Sequence, residues 1–372
     1  MAKSGAQCSM LVCLFFLPTD IINAEFKYQI NQNHSVLFYE EESDELYVGG
    51  TDFILKLGVD DFHIIEFVCG TNGEKPQCLH SFTKIYSIIQ HPPPTPFNVR
   101  CLLFLEGDLY AAAPLDADGS TLQFRRKAGS RTNVWMYDNW VSEPTFISAS
   151  WVQRKDDPDN EKIYIFFREK NSDHNREADP LISRVARVCK MDEGGSKRFF
   201  QNMWTSFLKA RLVCGFPEKS LYFNLLQDVY VMHAEDWQDT RVYALFTSSW
   251  NATAVCIYSI QMIEEIFENS SFKGYNNEVP TPRPGMCSKN SKALPRATVN
   301  VVKDYPEMTD WVHSLHPTAP FLISTNNYTK IAVDRVQAAD QQFYNILLLA
   351  TGMSYPLGCA FLFVLSYRLL PR

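Results

Sequence analysis

One short polar stretch combines the residue types used in acid–base catalysis. It is HAED, in which His233, Glu235 and Asp236 follow one another closely. A histidine beside carboxylates can transfer protons near neutral pH when these groups converge on a substrate. The stretch reads as a charged, solvated loop, and the sequence has no GxSxG, HExxH, phosphate-loop or dinucleotide motif. We therefore predict no enzyme, cofactor, metal or small-molecule substrate, and a hydrolase is the alternative that these three residues leave open.

A second pattern places a sugar acceptor close to a thiol. In FTSSWNATAVCIYS, the sequon that begins at Asn251 lies five residues before Cys256. The flanking runs VYALF and AVCIYSI are β-prone, which predicts a hairpin with Asn251 at the exposed turn and Cys256 inside a strand. Three further sequons begin at Asn33, Asn269 and Asn327. Sugar acceptors of this kind imply surface loops in a secreted protein.

The N-terminus has the pattern of a secretory signal. Lys3 precedes the apolar run MLVCLFFLP, and a small residue, Ala24, ends the segment, so we predict a signal peptide over residues 1–24. An ordinary buried segment is the alternative. Cleavage would leave eight cysteines with no CxxC pair, at positions 69, 78, 101, 189, 214, 256, 287 and 359. In an oxidising compartment these predict disulfides; in the cytosol they would be scattered buried thiols.

Composition favours a folded, acidic protein. The chain has 372 residues, 46% of them hydrophobic, with a formal net charge of −7. Basic residues are spread along the sequence, which argues against nucleic acid as a partner.

The chain contains many short apolar or alternating runs separated by polar, Pro- and Gly-containing loops. This pattern predicts an all-β domain, and at this length a propeller more than a sandwich or barrel. Helical spacing is local. The segments NMWTSFLKARLV from Asn202 and IQMIEEIFENS from Ile260 could each form a helix or one turn of a helix.

Nine motifs follow one another in this order along the chain: ELYVGG, CGTNGEKPQC, LFLEGDLY, KIYIFFRE, RVARVCKMDEGG, WTSFLKARLVC, RVYALFTSSWNATAVCIYS, PRPGMC and TKIAVDRV. Together they resemble the Sema domain of semaphorins. HSVLFYE and SSWNATAVC are similar to class-7, glycolipid-anchored semaphorins. The resemblance implies a seven-bladed β-propeller over residues 25–352 and an extracellular ligand for plexin and, as in class 7, β1 integrin receptors in axon guidance and cell migration. It also implies a homodimer and three disulfides, Cys69–Cys78, Cys189–Cys287 and Cys214–Cys256.

The sequence departs from that family in three places. Strand sequence and a cysteine pair are missing between Phe67 and Val68, which predicts a shortened early blade. After residue 352 the chain runs into an apolar tail, 353–372, so we expect the last blades to be missing; the tail is too short for a spanning helix and lacks the spacer of a lipid-anchor signal, so we expect no anchor. Where class-7 relatives have Arg-Gly-Asp, this chain has Lys190-Met191-Asp192.

These departures leave alternatives open. Asp192 could still ligate an integrin's metal ion, or it could be a solvated loop carboxylate. Cys101 has no partner in the family pattern, and a buried thiol or an intermolecular bridge would both accommodate it. The whole product could be a signalling ligand, or a non-signalling fragment that is retained in the secretory pathway or released as a decoy.

Overall fold

A computed structural model describes most of the chain beyond its N-terminal part. The described residues are 34–40, 45–50, 53–58, 64–69, 102–114, 122–127, 131–171, 179–248, 252–337, 341, 343–351 and 362–367. They form antiparallel sheets with two α-helices and five short 3-10 helices. The prediction of a mainly β protein is confirmed for this part of the chain.

The first sheet is a four-stranded antiparallel meander. Its strands are β1 (His34–Glu40), β2 (Glu45–Gly50), β3 (Phe53–Gly58) and β4 (Ile64–Cys69). Strand β4 runs through the Phe67/Val68 junction, with Phe67 opposite Leu55 and Val68 opposite Ile54. The sheet is therefore continuous where the sequence predicted a shortened blade, and that prediction is not confirmed.

The next two sheets build the region that carries the candidate site. Strands β5 (Leu102–Leu105), β6 (Asp108–Pro114) and β7 (Leu122–Lys127) form a three-stranded sheet. Strands β8 (Thr145–Val152), β9 (Lys162–Lys170), β10 (Leu181–Cys189) and β11 (Leu208–Val213) form the third sheet.

Three further groups of strands follow. Strands β12 (Gly215–Phe216) and β13 (Leu221–Tyr222) form a small ladder, and β14 (Leu225–Met232), β15 (Arg241–Thr247) and β16 (Thr253–Ser259) begin the fourth sheet. Strand β17 (Val312–His313) pairs in parallel with β11, and β18 (Leu322–Ser324) completes the fourth sheet beside β16. Strands β19 (Tyr328–Gln337), β20 (Phe343–Thr351) and β21 (Leu362–Tyr367) form the fifth sheet.

Successive sheets pack face to face. One apolar cluster, including Phe124 and Ile165, lies between the second and third sheets, and another, including Phe166 and Phe246, lies between the third and fourth. A third cluster, including Leu245 and Leu347, lies between the fourth and fifth sheets. The first strands of neighbouring sheets adjoin, β5 with β8, β8 with β14 and β14 with β19. This succession is typical of propeller-like all-β folds.

Pairing between buried strands outweighs local helical spacing in this fold. The predicted hairpin is present, with Ala244 opposite Cys256 in the β15–β16 ladder. The predicted helical segment from Asn202 is instead a loop followed by β11, because residues 208–211 pair with β10. Burial on both sheet faces gives that segment more contacts than an isolated helix would provide.

A long insert separates β16 from its neighbour β18. It covers residues 260–321 and contains helices α1 (Ile260–Asn269) and α2 (Arg296–Asp304). Helix α1 buries Ile260, Ile263 and Phe267, which share one face because they are spaced by three and seven residues. The helix expected from Ile260 is therefore present, and we call residues 260–321 the insert.

The apolar C-terminal segment also belongs to a sheet. Strand β21 pairs antiparallel with β20, from Asn345 opposite Tyr367 to Ala350 opposite Leu362. An apolar run can add to an open sheet edge in this way, and the boundary at residue 352 stays a prediction. No helix among the described residues is long and apolar enough to cross a membrane.

Candidate interaction site

The insert is fastened to the third sheet by a disulfide and by backbone pairing. Cys189, the last residue of β10, bonds to Cys287 in the insert, with Cα atoms 5.5 Å apart. Near α2, the Lys209 amide donates to Pro306 O and the Met308 amide donates to Lys209 O. Gly285 has φ +85° and an added Cβ would lie 2.2 Å from Leu208, so only glycine fits the close approach. The insert is therefore a fixed part of the third sheet's edge.

A buried charge cluster, the Glu264 hub, joins helix α1 to this sheet. Glu264 accepts from Arg187 at 2.7 Å, Lys162 at 2.6 Å and Arg154 at 2.8 Å. The four side chains are at most 7% exposed. Burial alone would raise the pKa of Glu264, but Arg187, Lys162 and Arg154 together hold it well below its usual range. The hub therefore keeps a carboxylate charged inside the protein.

A second buried ion cluster lies at the other end of the insert. Arg184 on β10 forms a two-point pair with Glu307, Nη1 to Oε1 at 3.0 Å and Nη2 to Oε2 at 3.1 Å. Arg184 and Lys209 also share Glu169, at 2.8 and 2.6 Å. Because a two-point guanidinium pair fixes orientation as well as distance, it sets the angle at which the insert meets the sheet.

Beside this docked insert lies an open cleft of about 540 Å³, which we call the β8–β9 cleft. It is formed by the β5–β6 turn, the β8–β9 connection and the loop after β10. These connections lie at the same end of their strands because adjacent strands are antiparallel. Its walls include Trp151, Glu161, Lys190 and Met191. The remaining lining residues are Glu106, Arg131, Gln153, Lys155, Pro158 and Asp159.

Lys190 is the central cation of the β8–β9 cleft. Its Nζ lies 2.6 Å from Glu106, 2.8 Å from Glu161 and 4.4 Å from the centre of the Trp151 ring. Burial disfavours its charge, but hydrogen bonds to Glu106 and Glu161 outweigh burial and raise the pKa of Lys190. The Glu106 side chain is 64% exposed, so this half of the pair can exchange partners with an incoming molecule.

The backbone beneath Lys190 is held by two arginines. Arg131 donates to Lys190 O at 2.6 Å, and Arg126 donates to Asp192 O at 2.8 Å. Arg126 also pairs with Glu193 at 3.2 Å. The cleft therefore combines a fixed floor with an adjustable polar rim, which suits recognition of another protein.

Asp192 lies in a different environment from either one expected. It is 2% exposed and accepts from the amides of Gly194, Thr205 and Ser206 and from the hydroxyls of Thr205 and Ser206, at 2.7–3.0 Å. Burial raises the pKa of Asp192, and the hydrogen bonds, which lower it, offset only part of that rise. The carboxylate faces inward and organises the loop after β10, so it is not the solvated carboxylate of one alternative. Ligation of an integrin's metal ion stays a prediction, which this burial does not support. Of the three loop residues, Lys190 and Met191 do line the cleft.

The structure contains two of the disulfides implied by the resemblance. Besides Cys189–Cys287, Cys214 bonds to Cys256 with Cα atoms 5.8 Å apart. Both cysteines of the second bond are 1% exposed, and Cys256 lies inside β16. Cys69 ends β4, whereas Cys78 and Cys101 lie outside the described residues.

The predicted sugar acceptors fall in two groups. Asn269 ends helix α1 and Asn327 precedes β19, and both are exposed. Asn33 and Asn251 lie outside the described residues. Thr253 of the Asn251 sequon is 2% exposed and donates to Asn326 O at 2.6 Å, so this threonine contributes to the structure of its own strand end.

The polar HAED stretch is a turn at the surface. Asp236 accepts from the Gln238 amide at 3.0 Å and so caps the 3-10 helix Trp237–Asp239. His233 Nε2 lies 3.1 Å from Ser150 Oγ. Glu235 and Asp236 are exposed, and the arrangement orders a turn after β14.

Sequence reasoning missed the residues that form the hub and the cleft floor. One signal was available, since Glu264 falls on the same helical face as Ile260, Ile263 and Phe267 and an acid on an apolar face needs partners. No comparable signal marks Trp151, Glu161 and Arg126, which are brought together only by sheet packing.

Comparison with known proteins agrees with this geometry. Residues 226–354 match the Sema domain family. The chain is 37% identical to Semaphorin-7A of Mus musculus over 293 residues, covering 76% of this chain and 44% of that protein. It is 34% identical to Semaphorin-4D of Mus musculus, covering 77% of this chain and 37% of that protein.

Solved structures show the same fold. The extracellular domains 1–2 of Drosophila Semaphorin 1a superpose with a TM-score of 0.69 at 24% identity, covering 88% of this chain and 76% of that one. Drosophila Plexin A in complex with Semaphorin 1b gives a TM-score of 0.65 at 22% identity, covering 92% of this chain and 82% of that one.

The stacked antiparallel sheets with a disulfide-fastened insert define an all-β protein of the Sema type. The chain belongs to the semaphorin family and is similar to its class-7 members. It spans less than half the length of the curated relatives, 44% of the mouse Semaphorin-7A and 37% of the mouse Semaphorin-4D.

Proposed function

We propose that this chain is an extracellular, non-enzymatic semaphorin-type signalling ligand that binds a plexin-type receptor and guides cell or axon migration. The described sheets would be blades of a seven-bladed propeller, and the ligand would act as a homodimer. Support comes from family membership, from the extracellular domains of Semaphorin 1a and from the plexin complex of Semaphorin 1b among the similar structures.

The observation that carries the proposal is the β8–β9 cleft. It places a half-open acid–lysine–tryptophan cluster on a floor that is fixed by Arg126 and Arg131. Protein interfaces are enriched in aromatic residues and methionine at their core and are polar at the rim; here Trp151 and Met191 supply the first and the Lys190 ion pairs the second. We therefore assign the receptor contact to this edge of the third sheet.

The test is binding of the secreted chain to cells that express single plexins. Lys190→Glu reverses the central charge, and Met191→Arg fills the cleft without removing an ion pair. Each should weaken binding on the order of tenfold, since loss of a central contact costs at least about 1.4 kcal/mol. Lys219→Glu, an exposed charge reversal outside the cleft, is the matched control.

The readouts separate three outcomes. Loss in both cleft variants with an unchanged control supports the proposal. Binding to no plexin would refute receptor recognition, and binding without downstream receptor activation would favour the decoy alternative. For β1 integrin the loop offers less support, because Asp192 is buried and fully hydrogen-bonded.

A further inference from the structure

A basic patch forms where the insert meets the loop after β10. The sequence from Val279 to Lys303 contains five Lys or Arg residues and no Asp or Glu, although the whole chain has a net charge of −7. This local excess falls on residues of the insert.

Two separate segments contribute exposed cations to this patch. The turn Ser196–Phe199, closed by the Phe199 amide donating to Ser196 O at 3.0 Å, presents Lys197 and Arg198. The insert presents Lys292 and Arg296, and all four basic residues are exposed. Among the described residues, none of the four forms a salt bridge with a carboxylate.

Direct contacts hold the two segments together. Ser291 Oγ donates to Gly194 O at 2.9 Å and accepts from the Glu193 amide at 3.0 Å. The Arg296 guanidinium lies 4.8 Å from the centre of the Phe199 ring. Because the Cys189–Cys287 bond fixes the same two segments, the four cations share one rigid surface.

Two carboxylates that lie next to these segments, Glu193 and Asp159, are already paired. Glu193 is bound to Arg126 at 3.2 Å and accepts the Thr132 amide at 3.1 Å. Asp159 is bound to Lys289 at 2.5 Å. Consequently the field of Lys197, Arg198, Lys292 and Arg296 is directed toward solvent rather than cancelled locally.

We propose that this basic patch binds a sulfated polysaccharide of the cell surface or extracellular matrix. Cations spread over two rigid segments suit a linear polymer with regularly spaced fixed negative charges, and sulfate is the anionic group that extracellular polysaccharides carry at high density. The inference rests on the extracellular location in the proposed function, and the patch involves none of the residues that line the β8–β9 cleft. Polysaccharide and receptor could therefore be bound together, which would concentrate the ligand near target cells.

The test uses heparin as the probe and the full chain secreted from mammalian cells. The patch variant carries Lys197→Gln, Arg198→Gln, Lys292→Gln and Arg296→Gln. The control variant loses the same charge at four exposed cations outside both the patch and the cleft, through Lys170→Gln, Lys219→Gln, Lys330→Gln and Arg335→Gln. We expect the patch variant to bind immobilised heparin on the order of tenfold more weakly, with a shallower salt dependence, while the control stays within about twofold of the parent.

Other polyanions test the class of ligand. Hyaluronan, which carries carboxylates without sulfates, desulfated heparin, phosphatidylserine vesicles and duplex DNA should each bind more weakly than heparin. Equal loss in the patch and control variants would overturn the proposal, as would binding of DNA or vesicles as tight as that of heparin. Plexin binding by the patch variant is measured in parallel, so failure here is distinguishable from failure of the proposed receptor function.

Discussion

The Glu264 hub and the β8–β9 cleft use similar side chains for different ends. Each stacks a cation on a tryptophan, Arg154 on Trp237 at 3.7 Å and Lys190 on Trp151 at 4.4 Å, and each pairs cations with glutamate. The hub shares one carboxylate among three buried cations, whereas the cleft gives one lysine two carboxylates, one of them 64% exposed. Burial makes the first cluster a fixed joint, whereas in the second the exposed Glu106 can exchange partners.

The two regions are mechanically connected. Glu161 in the cleft accepts from the Arg154 amide at 3.2 Å, and the Arg154 side chain belongs to the hub. Cys189, beside Lys190, is bonded to Cys287 in the insert. A change in the hub or disulfide should therefore alter the cleft, whereas a change at the cleft rim should leave the hub intact.

Removing the disulfide that connects both regions should have the largest effect. The double substitution Cys189→Ser and Cys287→Ser removes a cross-link between residues separated by 98 positions in the sequence. In the chain-entropy model this lowers the free energy of unfolding by about 4 to 5 kcal/mol. Cys214→Ser with Cys256→Ser, at a separation of 42, is the control and should cost ~0.8 kcal/mol less. Urea unfolding of both variants measures the difference, and a reversed order would contradict the loop-length argument.

Glu264→Gln should have the next largest effect. The substitution leaves Arg154, Lys162 and Arg187 buried without their carboxylate, and we expect a loss of about 3 to 5 kcal/mol in the free energy of unfolding. Glu265→Gln, an exposed position on the same helix, should change it by no more than about 0.5 kcal/mol. Similar losses for both variants would show that the hub is not the joint we describe.

The hub also predicts an acid-sensitive component of stability. The pKa of Glu264 is lower in the folded than in the unfolded chain, so its stabilising contribution is complete above the unfolded value and is lost as pH falls below it. We expect roughly 1.4 kcal/mol of loss for each pH unit below about 4.3. Thermal melting is measured between about pH 5 and pH 3, on either side of about 4.3. The melting temperature should fall less steeply with decreasing pH for Glu264→Gln than for the parent. Equal slopes would exclude Glu264 as the titrating group.

The sequence allowed much of the fold to be predicted but little of the site. The β15–β16 hairpin and helix α1 follow from local spacing, because their apolar residues repeat with the period of the element. Strand β11 was mistaken for a helix, and Asp192 for an exposed acid, because neighbours distant in sequence decide both. The buried Asp192 accepts hydrogen bonds from the hydroxyls of Thr205 and Ser206, and nothing in the sequence marks these two residues as its partners.

The smallest expected effect on stability belongs to the cleft, where binding should be affected more than folding. Lys190→Met keeps the stem that packs on Trp151 and removes only the charge shared by Glu106 and Glu161. Glu161 is 4% exposed and would lose its cation, so the free energy of unfolding should fall by about 1 to 3 kcal/mol, less than for Glu264→Gln. Binding to plexin-expressing cells should weaken on the order of tenfold. Urea unfolding and cell binding of the same preparation measure both quantities. A large stability loss with unchanged binding would make the cleft a second structural joint, whereas the expected split identifies it as the surface through which this semaphorin contacts its receptor.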